Sequence, residues 1–276
     1  MKDQRDILAI DDEPVITGAI RKVCAAEGLS VDTEEGAAAG LARLEDGSYR
    51  LIICDLMMPG TGGLEFLAEA ARRGVRSPVI IATGYATLEN AVLSLARGAI
   101  NFIPKPFTAE ELLAAVRLAL RCDQLQREAA APPGAGAPPA CAPCPTGYYR
   151  LGCLSWAKVE SEGSVLVGAG GLFLRAVGPL GALELSLPGE ETMQGAACAA
   201  AVSAAGDRHP VLCPVSGRIV EVNTGASAAP ALAEKEPYSG GWLYRVLPSN
   251  LQSELGRLTA CGPERTEPGP ARDQRR

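Results

Sequence analysis

The chain has 276 residues, 47% of them apolar and 21% charged, with a formal net charge of −6. That composition excludes wholesale disorder, and ~150 residues per domain as a soft guide leaves room for two domains. Residues 1–131 carry 14 Lys/Arg against 19 Asp/Glu and the remainder 12 against 13, so neither half is basic and a DNA-binding output is disfavoured.

The amino terminus runs directly into an apolar strand pattern, with no signal-peptide core. No apolar run approaches the ~20 residues that span a bilayer. A cytoplasmic protein with no membrane partner is expected. Nine cysteines, an odd number, are scattered through strands and helices. Most of them read as small buried hydrophobes rather than as a disulfide scaffold.

Ile7-Leu8-Ala9-Ile10 is a buried-strand run that ends in Asp11, Asp12 and Glu13. Pro14 suits a first helical position, Val15, Ile16, Ile20 and Val23 mark one helix face, and Gly28 ends it. A short strand over 30–33 and a helix over 36–45 follow. Leu51-Ile52-Ile53-Cys54 then runs into Asp55, with Pro59-Gly60 as a turn. Taken alone, Asp55 reads equally well as the cap of that turn. Gly62-Gly63 open a third helix reaching Arg73. Residues 78–82 form a strand ending in Thr83-Gly84, and a helix through Leu88, Val92 and Leu95 stops at Gly98. Asn101-Phe102-Ile103-Pro104 is a short strand leading into Lys105-Pro106-Phe107. Thr108 and Glu111 form a capping box for a last helix running toward Glu128. Strict β/α alternation predicts a doubly wound, five-stranded parallel sheet.

Asp11, Asp12, Asp55, Thr83 and Lys105 all fall at carboxyl ends of predicted strands, where open α/β sheets bind ligands. Three neighbouring carboxylates repel unless a cation joins them, and oxygen-only ligands suit Mg²⁺. A hydroxyl and an ammonium opposite the metal are suited to phosphoryl oxygens, leaving Asp55 as the nucleophile of an acyl phosphate.

In these motifs, Asp11-Asp12-Glu13, Asp55-Leu56-Met57-Met58-Pro59-Gly60, Ala82-Thr83-Gly84 and Lys105-Pro106-Phe107, residues 5 to about 122 resemble a response-regulator receiver domain, whose span is set at 5–128. The resemblance implies that Asp55 accepts phosphate from a histidine kinase. Asp12, Asp55 and the Met57 carbonyl would hold Mg²⁺, with Asp11 acting mainly through water. Thr83 and Lys105 would contact the phosphoryl oxygens. Phe102 stands where the family places an aromatic switch residue, and as phenylalanine it lacks a hydroxyl. Such a protein is a phosphoacceptor rather than an enzyme, beyond self-catalysed phosphoryl transfer and autodephosphorylation.

Residues 129–146 are rich in Pro, Ala and Gly and read as a flexible tether. Within them Cys141 and Cys144 form a CxxC, open to an incidental, a redox or a half-metal-site reading. From 147 to 255 the pattern changes to short β segments. Residues 156–159 and 164–168 would pair around Glu162-Gly163, residues 183–187 alternate with period two, and 214–223 and 242–246 are further strand units. A small barrel or sandwich is expected, with 256–276 as a loose tail.

Trp156, Val165-Leu166-Val167-Gly168, Leu187-Pro188-Gly189, Pro214-Val215-Ser216-Gly217 and Pro237-Tyr238-Ser239-Gly240-Gly241-Trp242 resemble a glycine-cleavage H-protein, a barrel-sandwich relative of lipoyl carrier domains. The family carries lipoate on a hairpin-tip lysine about eight residues before the Pro-Val-Ser-Gly turn. Here residues 199–210 contain no lysine, and Lys158 and Lys235 lie in other segments. No lipoate is therefore expected. His209, the single histidine, reads as an exposed loop residue.

The resulting expectation is a signalling protein. Its non-lipoylated module would be an effector or docking surface for a protein partner, with phosphorylation acting through the last receiver helix or by freeing a face for homodimerisation. A regulated lipoyl-carrier component of the glycine-cleavage type is the alternative, opposed by the missing lysine. A transcription factor lacks both a basic domain and a helix-turn-helix.

Overall fold

The computed structural model describes residues 4–130 and 143–262. In the first half, β1 (Gln4–Ile10), α1 (Pro14–Ala26), β2 (Val31–Glu34), α2 (Ala37–Asp46), β3 (Ser48–Cys54) and α3 (Gly63–Arg72) come first. They are followed by β4 (Val79–Thr83), α4 (Leu88–Ala96), β5 (Asn101–Pro104) and α5 (Ala109–Ala130). The strands form one parallel sheet in the order β2-β1-β3-β4-β5. Helices cover both faces, so the inner strands need apolar side chains on both sides. Leu51 to Cys54 on β3 and all of β4 are buried accordingly. The expected five-stranded doubly wound sheet is what the chain forms.

The second half contains β6 (Tyr149–Leu151), β7 (Ser155–Val159), β8 (Val165–Ala169), α6 (Gly171–Val177), β9 (Leu180–Leu185), β10 (Glu191–Thr192), β11 (Ala197–Ser203) and β12 (Arg208–Leu212). It closes with β13 (Gly217–Val222), α7 (Thr224–Ala228), α8 (Ala231–Lys235), β14 (Trp242–Pro248), α9 (Leu251–Leu255) and β15 (Thr259–Ala260). Its strands make an antiparallel sheet β10-β13-β14-β8-β7-β6-β15 and a second, β12-β11-β9. β7 and β8 pair as a hairpin around Gly163, whose φ of 88° suits glycine at that turn. Trp156 is fully buried, donates Nε1–H to the Pro237 carbonyl at 3.0 Å, and packs edge-on against Tyr148 with ring centroids 5.1 Å apart.

Two expectations are corrected here. Residues 256–262 are not the loose tail expected from 256. Glu254 is buried and accepts hydrogen bonds from the backbone N–H and hydroxyl of Ser216, at 2.7 and 2.5 Å, which docks α9 on the Pro-Val-Ser-Gly turn. β15 then pairs with β6. Cysteine is the second correction. Cys144, read from sequence only as half of a CxxC with Cys141, is joined by a disulfide to Cys261, Cα atoms 5.9 Å apart, so these two are a covalent clasp. Cys141 lies outside the described residues, as does most of the expected tether.

The halves share one apolar core. It runs from Ile7, Leu51 and Ile80 through Val116 and Cys122 of α5 to Leu151, Phe173 and Val211. Gly152 packs on Leu95 of α4, the turn at Gly195 lies on Leu88 and Val92, and Arg117 of α5 meets Asp207 at 2.9 Å.

Candidate functional site

The carboxyl edge of the parallel sheet collects the polar residues, because each follows its strand directly. Asp11 leaves β1 with its N–H donated to the Glu34 carbonyl, Asp55 leaves β3 with its N–H on the Ile10 carbonyl, and Lys105 leaves β5 with its N–H on the Thr83 carbonyl. A cis peptide joins Lys105 to Pro106. Carboxylate oxygens of Asp11, Asp12 and Asp55 lie within 4.8 Å of one another, with Asp11 and Asp55 buried and Asp12 exposed. Thr83, Asp11 and Asp55 belong to the buried polar groups, so these side chains are sheltered from solvent at this edge.

Lys105 Nζ reaches into the cluster, 2.7 Å from Asp11 Oδ2 and 3.3 Å from Asp55 Oδ1, and 3.3 Å from Glu13 Oε1. Burial raises the Asp11 carboxyl above its ordinary range, against the hydrogen bond from Lys105. Burial works against the Lys105 ammonium, but the hydrogen bond to Asp11 and the neighbouring charges outweigh it and hold its pKa above the ordinary value. The amine is therefore a fixed cation at neutral pH. Burial beside Asp55 and Asp11 pushes the Cys54 thiol far up, so the adjacent sulfur stays protonated and inert.

Asp55 is poised on one side only. Its Oδ2 accepts the Met57 N–H at 3.1 Å, whereas Oδ1 is buried and accepts no hydrogen bond, facing Lys105 across 3.3 Å outside hydrogen-bond alignment. An acceptor left open among three carboxylates is what a divalent cation or an attacked phosphorus would occupy, so the donor set fits Mg²⁺. Thr83 Oγ1 accepts the Tyr85 N–H at 3.2 Å, which fixes the hydroxyl at the end of β4. Phe102 is half-buried on β5 and packs on the core facing α2 and α3. Glu13 was visible as part of the acidic run; its approach to Lys105 was not, since only the fold lets the side chain that follows β5 reach across the sheet's edge to the residues after β1.

The structure also rearranges the second half's candidates. The β11–β12 hairpin contains the 199–210 segment, and Asp207 at its turn is the residue ion-paired to Arg117. His209 is a correction: it sits on β12, buried, with its ring edge-on to Phe173 at 6.5 Å. Pairing with Ala201 turns its side chain inward, and alternation within so short a strand gave no cue to that.

Residues 7–117 match the family "Response regulator receiver domain", and residues 148–263 match "Glycine cleavage H-protein". Fold and site thus define a two-component receiver domain followed by an H-protein-like domain. The nitrogen assimilation regulatory protein NtrX of Azorhizobium caulinodans is 37% identical over 125 residues, covering 45% of this chain and 28% of its own. The transcriptional regulatory protein DltR of Streptococcus agalactiae is 36% identical over 121 residues, 44% of this chain and 54% of its own. A glycine cleavage system H protein from Mycobacterium marinum is 30% identical, covering 44% of this chain and 90% of that one at a TM-score of 0.36. The chain spans about half the length, or less, of the curated relatives it matches. Among the described residues no helix is long and apolar enough to cross a membrane.

Proposed function

We propose that the chain is a response regulator phosphorylated on Asp55 by a histidine kinase, and that its H-protein-like half is a non-lipoylated effector or protein-docking module. The observation that carries this reading is the buried, hydrogen-bond-free Oδ1 of Asp55 among Asp11, Asp12 and Lys105.

Asp55 Oδ1 attacks the phosphorus of a phosphohistidine, forming the acyl phosphate while the P–N bond breaks. Asp11, Asp12, Asp55 and the Met57 carbonyl would hold Mg²⁺. The ion supplies neutralisation of the phosphoryl charge when bound. Lys105 turns its ammonium from Asp55 to a phosphoryl oxygen, and the Thr83 hydroxyl donates to another. Phe102 adds bulk to β5 and no hydrogen bond. The absence of lysine from 199–210 supports a module without a swinging arm.

Acetyl phosphate with Mg²⁺ should add one phosphoryl group to the intact protein, and Asp55→Asn should remain unmodified. An unmodified wild-type mass, beside a receiver of known reactivity that does react, would overturn the assignment. With lipoate, ATP and lipoate ligase the mass should not change; an adduct would restore the carrier reading.

A further inference from the structure

One bond ties the end of the second half to its beginning. The Cys144–Cys261 disulfide joins residues 117 positions apart. β15, just before Cys261, has little else to hold it. It is the last strand of its sheet, two residues long, with both residues exposed. It pairs with β6, and one more backbone bond follows, from the Cys261 N–H to the Tyr148 carbonyl at 2.8 Å. The rest of this half has an ample core, with Trp156, Phe173 and Tyr244 fully buried, unlike the small domains in which disulfides replace a core. Six other cysteines among the described residues are free thiols. The two bonded sulfurs differ in access: Cys144 is half-buried between exposed Pro143 and Pro145, whereas Cys261 is buried against Tyr148 and Trp156. A reductant therefore meets Cys144 first.

We propose that the Cys144–Cys261 disulfide is a reversible clasp, opened by a dithiol reductant and re-formed by a disulfide oxidant. One thiolate of the dithiol attacks the Cys144 sulfur, the S–S bond breaks, and Cys261 leaves as a thiolate that takes up a proton. The second thiol of the reductant, as its thiolate, then attacks the mixed disulfide, and Cys144 leaves and is protonated in turn. Two electrons and two protons pass to the protein, and the dithiol becomes a disulfide. With the bond open, β15 leaves β6, and Cys261 leaves the cluster of Tyr148 and Trp156. Thr259 goes with them, taking away part of the wall of a cleft of about 350 Å³ that Leu95 and Ile100 of the receiver also line. Reduction thus loosens the second half at its border with the receiver. The clasp goes beyond the phosphorylation reading and needs no phosphoryl donor.

The test uses the full-length chain carrying Cys141→Ser, which leaves Cys144 as the one cysteine of tryptic peptide 128–150. Blocked with N-ethylmaleimide and digested without reductant, that peptide should be joined to peptide 258–265. Dithiothreitol without denaturant should separate the two, each with one maleimide after blocking, while far-ultraviolet circular dichroism is unchanged. Amides of 148–151 and 258–262 should then exchange with deuterium about tenfold faster. Oxidised glutathione should restore both the bond and the protection. Cys261→Ser should show the fast exchange with no reductant present. Peptides that are never joined, or a joined pair that survives dithiothreitol, would overturn the clasp. So would exchange that stays slow after separation, a loss of secondary structure on reduction, or a bond that oxidised glutathione fails to restore.

Discussion

His209 is held neutral by its surroundings: burial against Phe173 lowers its pKa below the ordinary histidine value, and Arg117 adds to this while Asp207 opposes it. A depressed folded pKa means that the unfolded chain takes up the proton first as pH falls. The stability linked to His209 is therefore fully present above the unfolded value, near 6.5, and is lost as pH falls through the folded one. One such group changes stability by at most about 1.4 kcal/mol per pH unit in that window. Replacing it by leucine should flatten the urea-unfolding stability between pH 7 and pH 5 relative to wild type. Equal pH slopes for His209→Leu and wild type would show that the ring is solvated. The same physics explains why this residue was misread from sequence while Asp55 was not. An acid directly after Leu51-Ile52-Ile53-Cys54 has its location dictated by a strand that must be buried on both faces. A histidine in a five-residue strand has its orientation dictated by register alone.

Gly168 on β8 shows how an element depends on one missing side chain. The strand pairs with β7 so that Trp156 lies opposite Gly168, and a Cβ at 168 would collide with Cζ2 of the indole. Trp156 cannot retreat without breaking its hydrogen bond to Pro237 and its ring contacts with Tyr148 and Tyr238. Gly168→Ala should cost about 1–3 kcal/mol, the usual range for overpacking, measured as a fall in the denaturation midpoint with quenched or shifted tryptophan emission. An unchanged midpoint would mean the aromatic cluster yields. The β7–β8 hairpin was legible because its alternation and Glu162-Gly163 turn are local. β6, β10 and β15 were not, being two or three residues long and defined by distant partners. β15 in particular is placed by Cys261, whose disulfide partner lies 117 positions earlier. In the first half every strand was legible, since each is a short apolar run set between helical patterns by strict β/α alternation.

At the scale of the whole chain, the second half rests on the receiver's α4 and α5. Gly195 makes a close backbone approach: it has φ of 86°, and a Cβ there would lie 2.7 Å from the Leu88 carbonyl oxygen and 2.9 Å from Val92 Cγ2. Neither obstacle is the end of a flexible chain, so a methyl group has to move the turn away from α4. Gly195→Ala should therefore loosen the junction, at some local cost from the left-handed backbone. Arg117→Glu tests the same junction without that cost, since Arg117 and Asp207 are both partly solvated and worth little to either fold, yet two acids facing each other repel. Both variants should raise the radius of gyration in small-angle scattering while far-ultraviolet circular dichroism stays that of the wild type. If phosphorylation of Asp55 acts by weakening the same contact, thermodynamic reciprocity requires that weakening it by mutation favours the phosphorylated form by the same factor. The fraction phosphorylated at equilibrium with acetyl phosphate should then rise in both variants. A larger radius with an unchanged phosphorylated fraction would separate the junction from the switch, leaving α4 and α5 as a scaffold only.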